Sequence, residues 1–549
     1  MKKLLSLLLS FMLLFSIASC GVSGGDTEGD GGGVTDGENS GAGDVNGRDE
    51  TEPREIVIEV SESTEFGNLC GSTTGKLTAG IEGGSDSIDR AVAERNEAAA
   101  KAAGVTVRYK YLPDQNNDYY AGLSVQRIRS ETLLHGSGST DIYYNFTRDM
   151  VELTLFKAFS NLKEDTSAEE VLFRFNSKDY GGVGKHFGEG SEEGYYYGYM
   201  NSVSLAEDKL YTVASDYGLD FARSFLAIPT SVSLLSDASK KLSENSGVDA
   251  IEEITGLVKA GKWTFSALAR YANAAYVEKA EENSASATDR GEVLGFAISA
   301  NYTHLNTAYA LFSSSGTVSL RNRDTGPYYT DESDKAVEIL SAISSLVGER
   351  GVNVISIHNV SGQVEQVLRE EFKSRRVLFG GVCNLSALEG GAASVDGGLL
   401  ILPPPIYKEA EGISYNTVVT QKAKVFAIAA KTDAYRECAV FLDYQSTHSE
   451  DIGKGYLHSA LGIDTGDDIG KAGRDMLDII ISSVRDSLDT VYANFTMHSI
   501  MIDMEDSSWY GYIMANGYLA PDVYEQHKII QEHQKVMLEY HKSFWAYLE

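Results

Sequence analysis

Asn145, Phe146, Arg148 and Asp149 stand together in the run YYNFTRD: an amide, an aromatic ring, a guanidinium and a carboxylate within five positions. Side chains of these kinds hold a solute by hydrogen bonding and stacking; they are not a nucleophile with its base. Three other runs repeat the mixture. They are ASDYG with Asp216 and Tyr217, SANYTHLN with Tyr302 and His304, and VLFGGVCN ending at Asn384. Each follows a stretch that reads as a strand, the place where open α/β sheets present loops to a crevice. Plainer roles compete with each of these. A loop Asp or Arg is often only solvated, Phe146 could anchor its loop, and a lone histidine is more often structural. Trp263 stands just before Thr264, a plausible helix N-cap, which favours packing over stacking on a ligand. Catalytic signatures are missing: there is no H-E-x-x-H, no phosphate-cradling glycine motif, and no G-x-S-x-G beyond the glycine-rich N-terminal stretch. Cys70, Cys383 and Cys438 are far apart, with no C-x-x-C and no clustered histidine, so no metal site and no cofactor is expected. Spacing alone leaves their disulfide state open.

Those runs need elements to hold them. Arg54 to Val60 (REIVIEV) reads as a β-branched strand, and Asp89 to Ala103 as a helix stopped by Gly104. Val105 to Leu112 alternates as a strand, Tyr120 to His135 is helical, and STDIYYNFTRD is a strand entering a loop before a helix from Met150. Strand, helix, strand, helix, strand is the pattern of an α/β lobe with a largely parallel sheet. A Gly- and Tyr-rich stretch containing EGYYYGYM follows, then strand and helix patterns of a second lobe. The expected division is a first lobe over 54–165, a second over 166–403, a return to the first over 404–460, and second-lobe helices over 461–549. Near the end Val523, Ile530, Met537 and Phe544 repeat every seven residues, an apolar stripe expected to pack onto the body.

The N-terminus carries a different chemistry. Lys2 and Lys3 precede an apolar run from Leu4 to Ile17, and the small residues Ala18 and Ser19 precede Cys20. Residues 1–19 therefore read as a signal peptide. Ile17-Ala18-Ser19-Cys20 resembles the bacterial lipobox, which implies cleavage before Cys20 and a lipid anchor on it. From 20 to 53, Gly, Ser, Asp and Glu dominate, the composition of a disordered tether. Lys plus Arg number 47 against 79 Asp plus Glu, a formal net charge of −32, which disfavours nucleic acid as a partner. The expected location is the outer side of the cell membrane, lipid-anchored.

Several pieces, in order, resemble the extracellular solute-binding proteins of bacterial carbohydrate ABC importers (extracellular solute-binding family 1, maltose-binding-like). DRAVAERNEAAAKAAGVTV is similar to that family's first helix and second strand, and TDIYYNFTRDMVELTLFKAFSNLKE to its passage from strand through ligand loop to helix. EDKLYTVASD resembles its crossing into the second lobe, AGKWTFSALARYA its Trp-Thr helix start, and VDGGLLILPPPIYKEAEGISYNT the strand that returns. Two stretches depart from the pattern: IPTSVSLL after the crossing, and the Gly/Tyr-rich insert near 180–200. The resemblance implies an α/β, two-lobed periplasmic-binding-protein-like fold (type II), with the ligand cleft between lobes joined by hinge strands. It implies a monomer that captures a sugar or oligosaccharide and delivers it to an ABC transporter permease, with no catalytic residues. Asn145, Phe146, Arg148 and Asp149 would contact the ligand from the first lobe; Asp216, Tyr217, Tyr302, His304 and Asn384 would face it from the second. Loops with aromatic and amide groups suit a sugar, whose C–H face stacks on a ring and whose hydroxyls need fixed partners. Three alternatives stay open at this point: a binder of another solute such as a peptide, a secreted glycoside hydrolase, and a surface lipoprotein with a purely structural or adhesive role. Among so many acidic residues some carboxylate pair will stand roughly 5 to 9 Å apart by chance.

The lipobox reading has a direct test. Replacing Cys20 with Ser is expected to abolish incorporation of a radiolabelled fatty acid while leaving the folded lobes intact; label that persists in the variant would overturn it.

Overall fold

The structure, a computed structural model, describes residues 53–61, 86–112, 123–134, 140–162, 209–243, 249–278, 293–299, 333–355, 375–390, 397–409, 415–419 and 423–485, with short pieces at 191–192, 195–202, 310–311, 314–315, 320–323 and 326–329. The signal peptide, the tether with Cys20, Cys70, and the heptad stripe at 523–544 lie outside the described residues. So do Tyr302 and His304. Cys438 is a buried free thiol, and no described helix is long and apolar enough to cross a membrane.

In chain order the first elements are β1 (Arg54–Ser61), α1 (Asp86–Ala103), β2 (Val105–Leu112), α2 (Leu123–Leu134), β3 (Ile142–Phe146) and α3 (Thr147–Leu155). Then come β4 (Leu226–Ser231), α4 (Val232–Leu242), α5 (Ala250–Lys259), α6 (Phe265–Ala275), β5 (Leu294–Ser299), α7 (Ser333–Val347) and β6 (Val352–Ile355). They are followed by β7 (Val377–Phe379), β8 (Cys383–Asn384), β9 (Leu399–Leu402), β10 (Lys424–Ile428), α8 (Tyr435–Thr447), α9 (Glu450–Ala460) and α10 (Asp468–Ser482).

The first sheet runs β10-β3-β1-β2, with β1 parallel to both β2 and β3 and β10 antiparallel to β3. Gly104, at φ +67°, ends α1 in the left-handed conformation that glycine adopts without a Cβ penalty, and β2 starts at the next residue. Both faces of this sheet are covered. Tyr144 pairs in register with Phe426 and Val60, so these side chains share one face, where Tyr217 stacks on Phe426 and meets Phe441 of α8. Tyr143 and Glu59 share the other face, where Tyr143 meets Phe159 and Glu59 binds Arg127 of α2. Double coverage explains why residues 56–61 of β1 and the whole of β3 are buried, Glu59, Tyr143 and Tyr144 included.

The second sheet runs β6-β5-β7-β4-β8, and β9 pairs antiparallel with β4. Its strands β5, β6 and β7 are parallel, while β4 is antiparallel to β7, β8 and β9. Three of its helices begin at side-chain caps: Asp249 accepts from the amides of Ile251 and Glu252, Thr264 from that of Ala267, and Asp467 from that of Gly470. Trp263 is fully buried against Phe379, and its indole N–H donates to the Pro403 carbonyl at 2.9 Å. That is a packing role.

Among the described residues the chain passes between the sheets before β4, between β9 and β10, and between α9 and α10. Isolated bridges tie the first passage to the second, Phe225 with Val419, and the second to the residues just after α10, Thr417 with Val484. Close packing of β5 under α6 yields a test of the second lobe. A Cβ on Gly295 would stand 2.1 Å from the Ala272 carbonyl oxygen, which belongs to backbone and cannot swing aside. Gly295→Ala is expected to lower stability by about 1–3 kcal/mol, read as a drop in the urea midpoint with an unchanged slope.

Candidate functional site

The carboxyl end of the first sheet gathers polar groups from four separate parts of the chain. Lys424 heads β10 opposite Phe146, so its side chain lies on the face of Tyr144 and Phe146. Its ammonium is wholly buried, 2.8 Å from a carboxylate oxygen of Asp220, which is itself 1% exposed. It also donates to the carbonyl of Ser61, the last residue of β1, at 3.1 Å, and lies 4.8 Å from the centre of the Tyr144 ring. The Tyr144 hydroxyl donates to the other oxygen of Asp220. A buried charge is tolerated only when paired and hydrogen-bonded, and this one has an anion, a carbonyl and a ring face around it.

Beside this pair lies the run YYNFTRD, whose Phe146 pairs with Lys424. The expected loop after β3 is absent: α3 begins at Thr147, whose amide and hydroxyl both donate to the Ala423 carbonyl, at 2.7 and 2.9 Å. The strand end is thereby held by the residue before β10, and the chain turns directly into the helix. Asn145 and Phe146 are the last residues of β3, and Asp149 sits in the first turn of α3, where the helix dipole favours a carboxylate. All three are buried. Asn145 accepts from the Phe146 amide at 2.7 Å through its side-chain oxygen; its amide nitrogen has no hydrogen-bond partner among the described residues. The side chain of Arg148 lies outside the described residues.

Asp216 and Tyr217 do not face this group from a second lobe. The Val213 amide donates to the Phe426 carbonyl, and Tyr217 stacks on Phe426, so the segment belongs to the first sheet. Tyr144, Phe426 and Tyr217 form a three-ring stack, and the Tyr217 hydroxyl is 2.8 Å from that of Tyr109. The physical reason is burial: a ring sandwiched in a covered sheet removes more apolar surface from water than one on a cleft wall. Asp216 is 3% exposed under Gly453 of α9 and accepts from the Tyr196 hydroxyl. Burial pushes its carboxyl up to about 7; the Tyr196 bond opposes the rise, Glu450 adds to it, and Lys454 and Arg95 oppose it. Asn384 does lie in the second sheet, on β8. Its side-chain oxygen accepts from the Ala387 amide at 3.1 Å and caps the short helix Leu385–Leu388.

Sequence reasoning missed Lys424 and Asp220. A lysine at the head of KVFAI and an acid in LDFARS look like solvated ends, and no spacing links them. Among the described residues no group of three or more His, Cys, Asp or Glu is placed to hold a metal.

Two α/β sheets, joined by these passages and with polar side chains at a strand-end face, form the two-lobed periplasmic-binding-protein-like fold. The chain is similar to the solved structure of the sugar-binding protein MalE from Xanthomonas citri, at 10% identity over 90% of this chain and 99% of that one, with a TM-score of 0.52. It is also similar to the cyclic alpha-maltosyl-1,6-maltose binding protein from Arthrobacter globiformis, at 10% identity over 88% and 99%, with a TM-score of 0.50. No protein-family model matches the chain, and no curated protein matches its sequence. The likeness is one of fold.

The buried carboxyl of Asp216 makes a pH prediction. Between the ordinary 3.8 and about 7 the folded chain holds a proton there that the unfolded chain has released. This contribution to stability is therefore complete below the lower value and lost as pH rises through the upper one. Asp216→Asn is expected to gain stability relative to the parent across that window, by about 1.4 kcal/mol per pH unit of the shift. Denaturant titrations at pH 4.5, 6 and 8 check it; a stability difference independent of pH would refute the assignment.

Proposed function

We propose that this chain is an extracytoplasmic solute-binding lipoprotein that captures a sugar or oligosaccharide and delivers it to an ABC importer. The observation that supports this reading best is the architecture: two sheets joined by passages of the chain, a fold shared with structures whose names describe sugar-binding proteins. Such a body works by population shift. A ligand touching both lobes favours the arrangement in which both sets of contacts are made, and nothing need be done to it chemically.

In this reading Asn145, Phe146, Arg148 and Asp149 serve the ligand from the first lobe, and Asn384, Tyr302 and His304 from the second. Asn145 is the member with a stated chemical need, because its buried amide nitrogen has two donors and no protein acceptor among the described residues. Cys20 carries the lipid, residues 20–53 are the leash, and the permease is the membrane partner.

A thermal-shift screen against maltose, maltotriose, longer maltodextrins, galactosides and short peptides tests the reading. A sugar at ~100 times its dissociation constant is expected to add ~2.7 kcal/mol of stability. The stabilising sugar should be recovered intact by mass spectrometry after many hours with excess sugar. Steady turnover would favour a glycoside hydrolase, and stabilisation by peptides alone would move the ligand class.

A further inference from the structure

The four-residue helix Asp220–Arg223, in the first passage between the sheets, is gripped from two sides. Asp220 is held to the first sheet by Lys424 and Tyr144. Arg223 makes two hydrogen bonds to the carboxylate of Glu389, from Nε at 2.5 Å and from Nη2 at 2.7 Å. This ion pair is almost wholly buried, its side chains 5% and 6% exposed. Glu389 also accepts from the Tyr456 hydroxyl of α9 at 3.0 Å, and the next amide, Gly390, donates to the Ala460 carbonyl at the end of α9.

Glu389 reaches this position on an arm of the second lobe. The arm starts at β8, paired with Ala227 and Leu226 of β4, and its Leu385 and Leu388 enter the apolar cluster that contains Ile58 and Val60 of the first sheet. A carboxylate carried by the second sheet is thus fastened by Tyr456 of the first lobe, on α9, and by Arg223 of the passage, whose short helix Asp220 holds to the first sheet through Lys424. The pair is also incompletely satisfied, since Nη1 of Arg223 is buried with no hydrogen-bond partner among the described residues.

We propose that Arg223, Glu389 and Tyr456 form an interlobe clasp that sets the balance between lobe arrangements in the ligand-free protein. A two-lobed body samples arrangements separated by a few kcal/mol, so an interaction made in one and stretched in another biases their populations. Bidentate guanidinium–carboxylate geometry is strict in angle as well as distance, so rotation of the second lobe strains this clasp more than it would strain an apolar contact. The inference requires lobe movement but not the identity of the ligand, so failure to find a sugar leaves it standing.

The test is small-angle X-ray scattering of the ligand-free full chain, with amide exchange followed by mass spectrometry on the same samples. Arg223→Met together with Glu389→Met removes the clasp without leaving an uncompensated charge, a replacement that buried ion pairs tolerate. Tyr456→Phe is the milder companion. The double variant is expected to raise the radius of gyration by about 1 Å or more, a change of lobe arrangement rather than of fold. Exchange at Leu385 and Gly390 should speed up more than tenfold while β1 and β2 stay as protected as in the parent, and Tyr456→Phe should move both readouts the same way by less. Unchanged scattering alongside faster exchange at Leu385 and Gly390 would show only a local tie. Unchanged scattering with unchanged exchange would show that the pair holds nothing, and either result overturns the proposal.

Discussion

The buried ammonium of Lys424 is the constraint around which the rest is arranged. An isolated cation in a sheet interior would cost more than the whole fold is worth, so its partners have to be in place whenever the protein is folded. Those partners come from far apart in the chain: the last carbonyl of β1, the ring of Tyr144 on β3, and Asp220 in the passage to the second lobe. The lysine therefore fixes the strand ends of the first sheet and, through Asp220, the point from which the chain leaves for the second. Replacing the pair with apolar residues of similar volume need not destabilise the fold. What it would remove is the defined departure point.

The second consequence is the fate of the tyrosine-rich segment. Read as sequence, EGYYYGYM invites a choice between a sugar platform and a surface strand. In the structure Tyr195, Tyr196 and Tyr199 are buried, and their hydroxyls reach Asp443, Asp216 and Thr147. Tyr196 and Tyr199 also pack their rings on Phe221 beside the first passage. Each ring buries apolar area, and each hydroxyl finds a polar partner there. The glycine between them has a local reason: a Cβ on Gly198 would run into the Arg485 side chain and the Val484 carbonyl.

Much of the first lobe was legible because its signals are local. β2 spans the residues read from alternation alone, α1 stops at the glycine that its composition marks, and Thr264 caps α6. The second sheet was legible as strands and helices but not as a pairing pattern, because β4 runs antiparallel to three neighbours and nothing local encodes that. The site was harder. Asn145 and Phe146 do end a strand at a polar face, yet the loop expected to carry Arg148 and Asp149 is the first turn of a helix, since Ala423 satisfies Thr147 at once. Asp216 and Tyr217 looked like a second-lobe loop because KLYTVASDYG resembles a crossing. The contacts that place them on the first sheet are with Phe426, more than two hundred residues on, and such pairings leave no periodic trace.

The passages themselves explain how a body with this much buried polar structure could still move. One apolar cluster belongs to the second lobe alone, whereas the larger draws on both, with Ala227, Ile401 and Leu385 from the second sheet's side beside Ile58 and Val60. Apolar contacts of that kind can slide a little without losing their worth, because burial has no preferred direction. Among the described residues the backbone ties here are isolated bridges, Phe225 with Val419 and Thr417 with Val484, so the residues on either side can absorb a change in φ and ψ. The charged contacts at this boundary, Lys424 with Asp220 and Arg223 with Glu389, are directional. Any rotation of one lobe on the other is therefore cheap at the backbone and along the apolar seam. Its limits are set where charges meet.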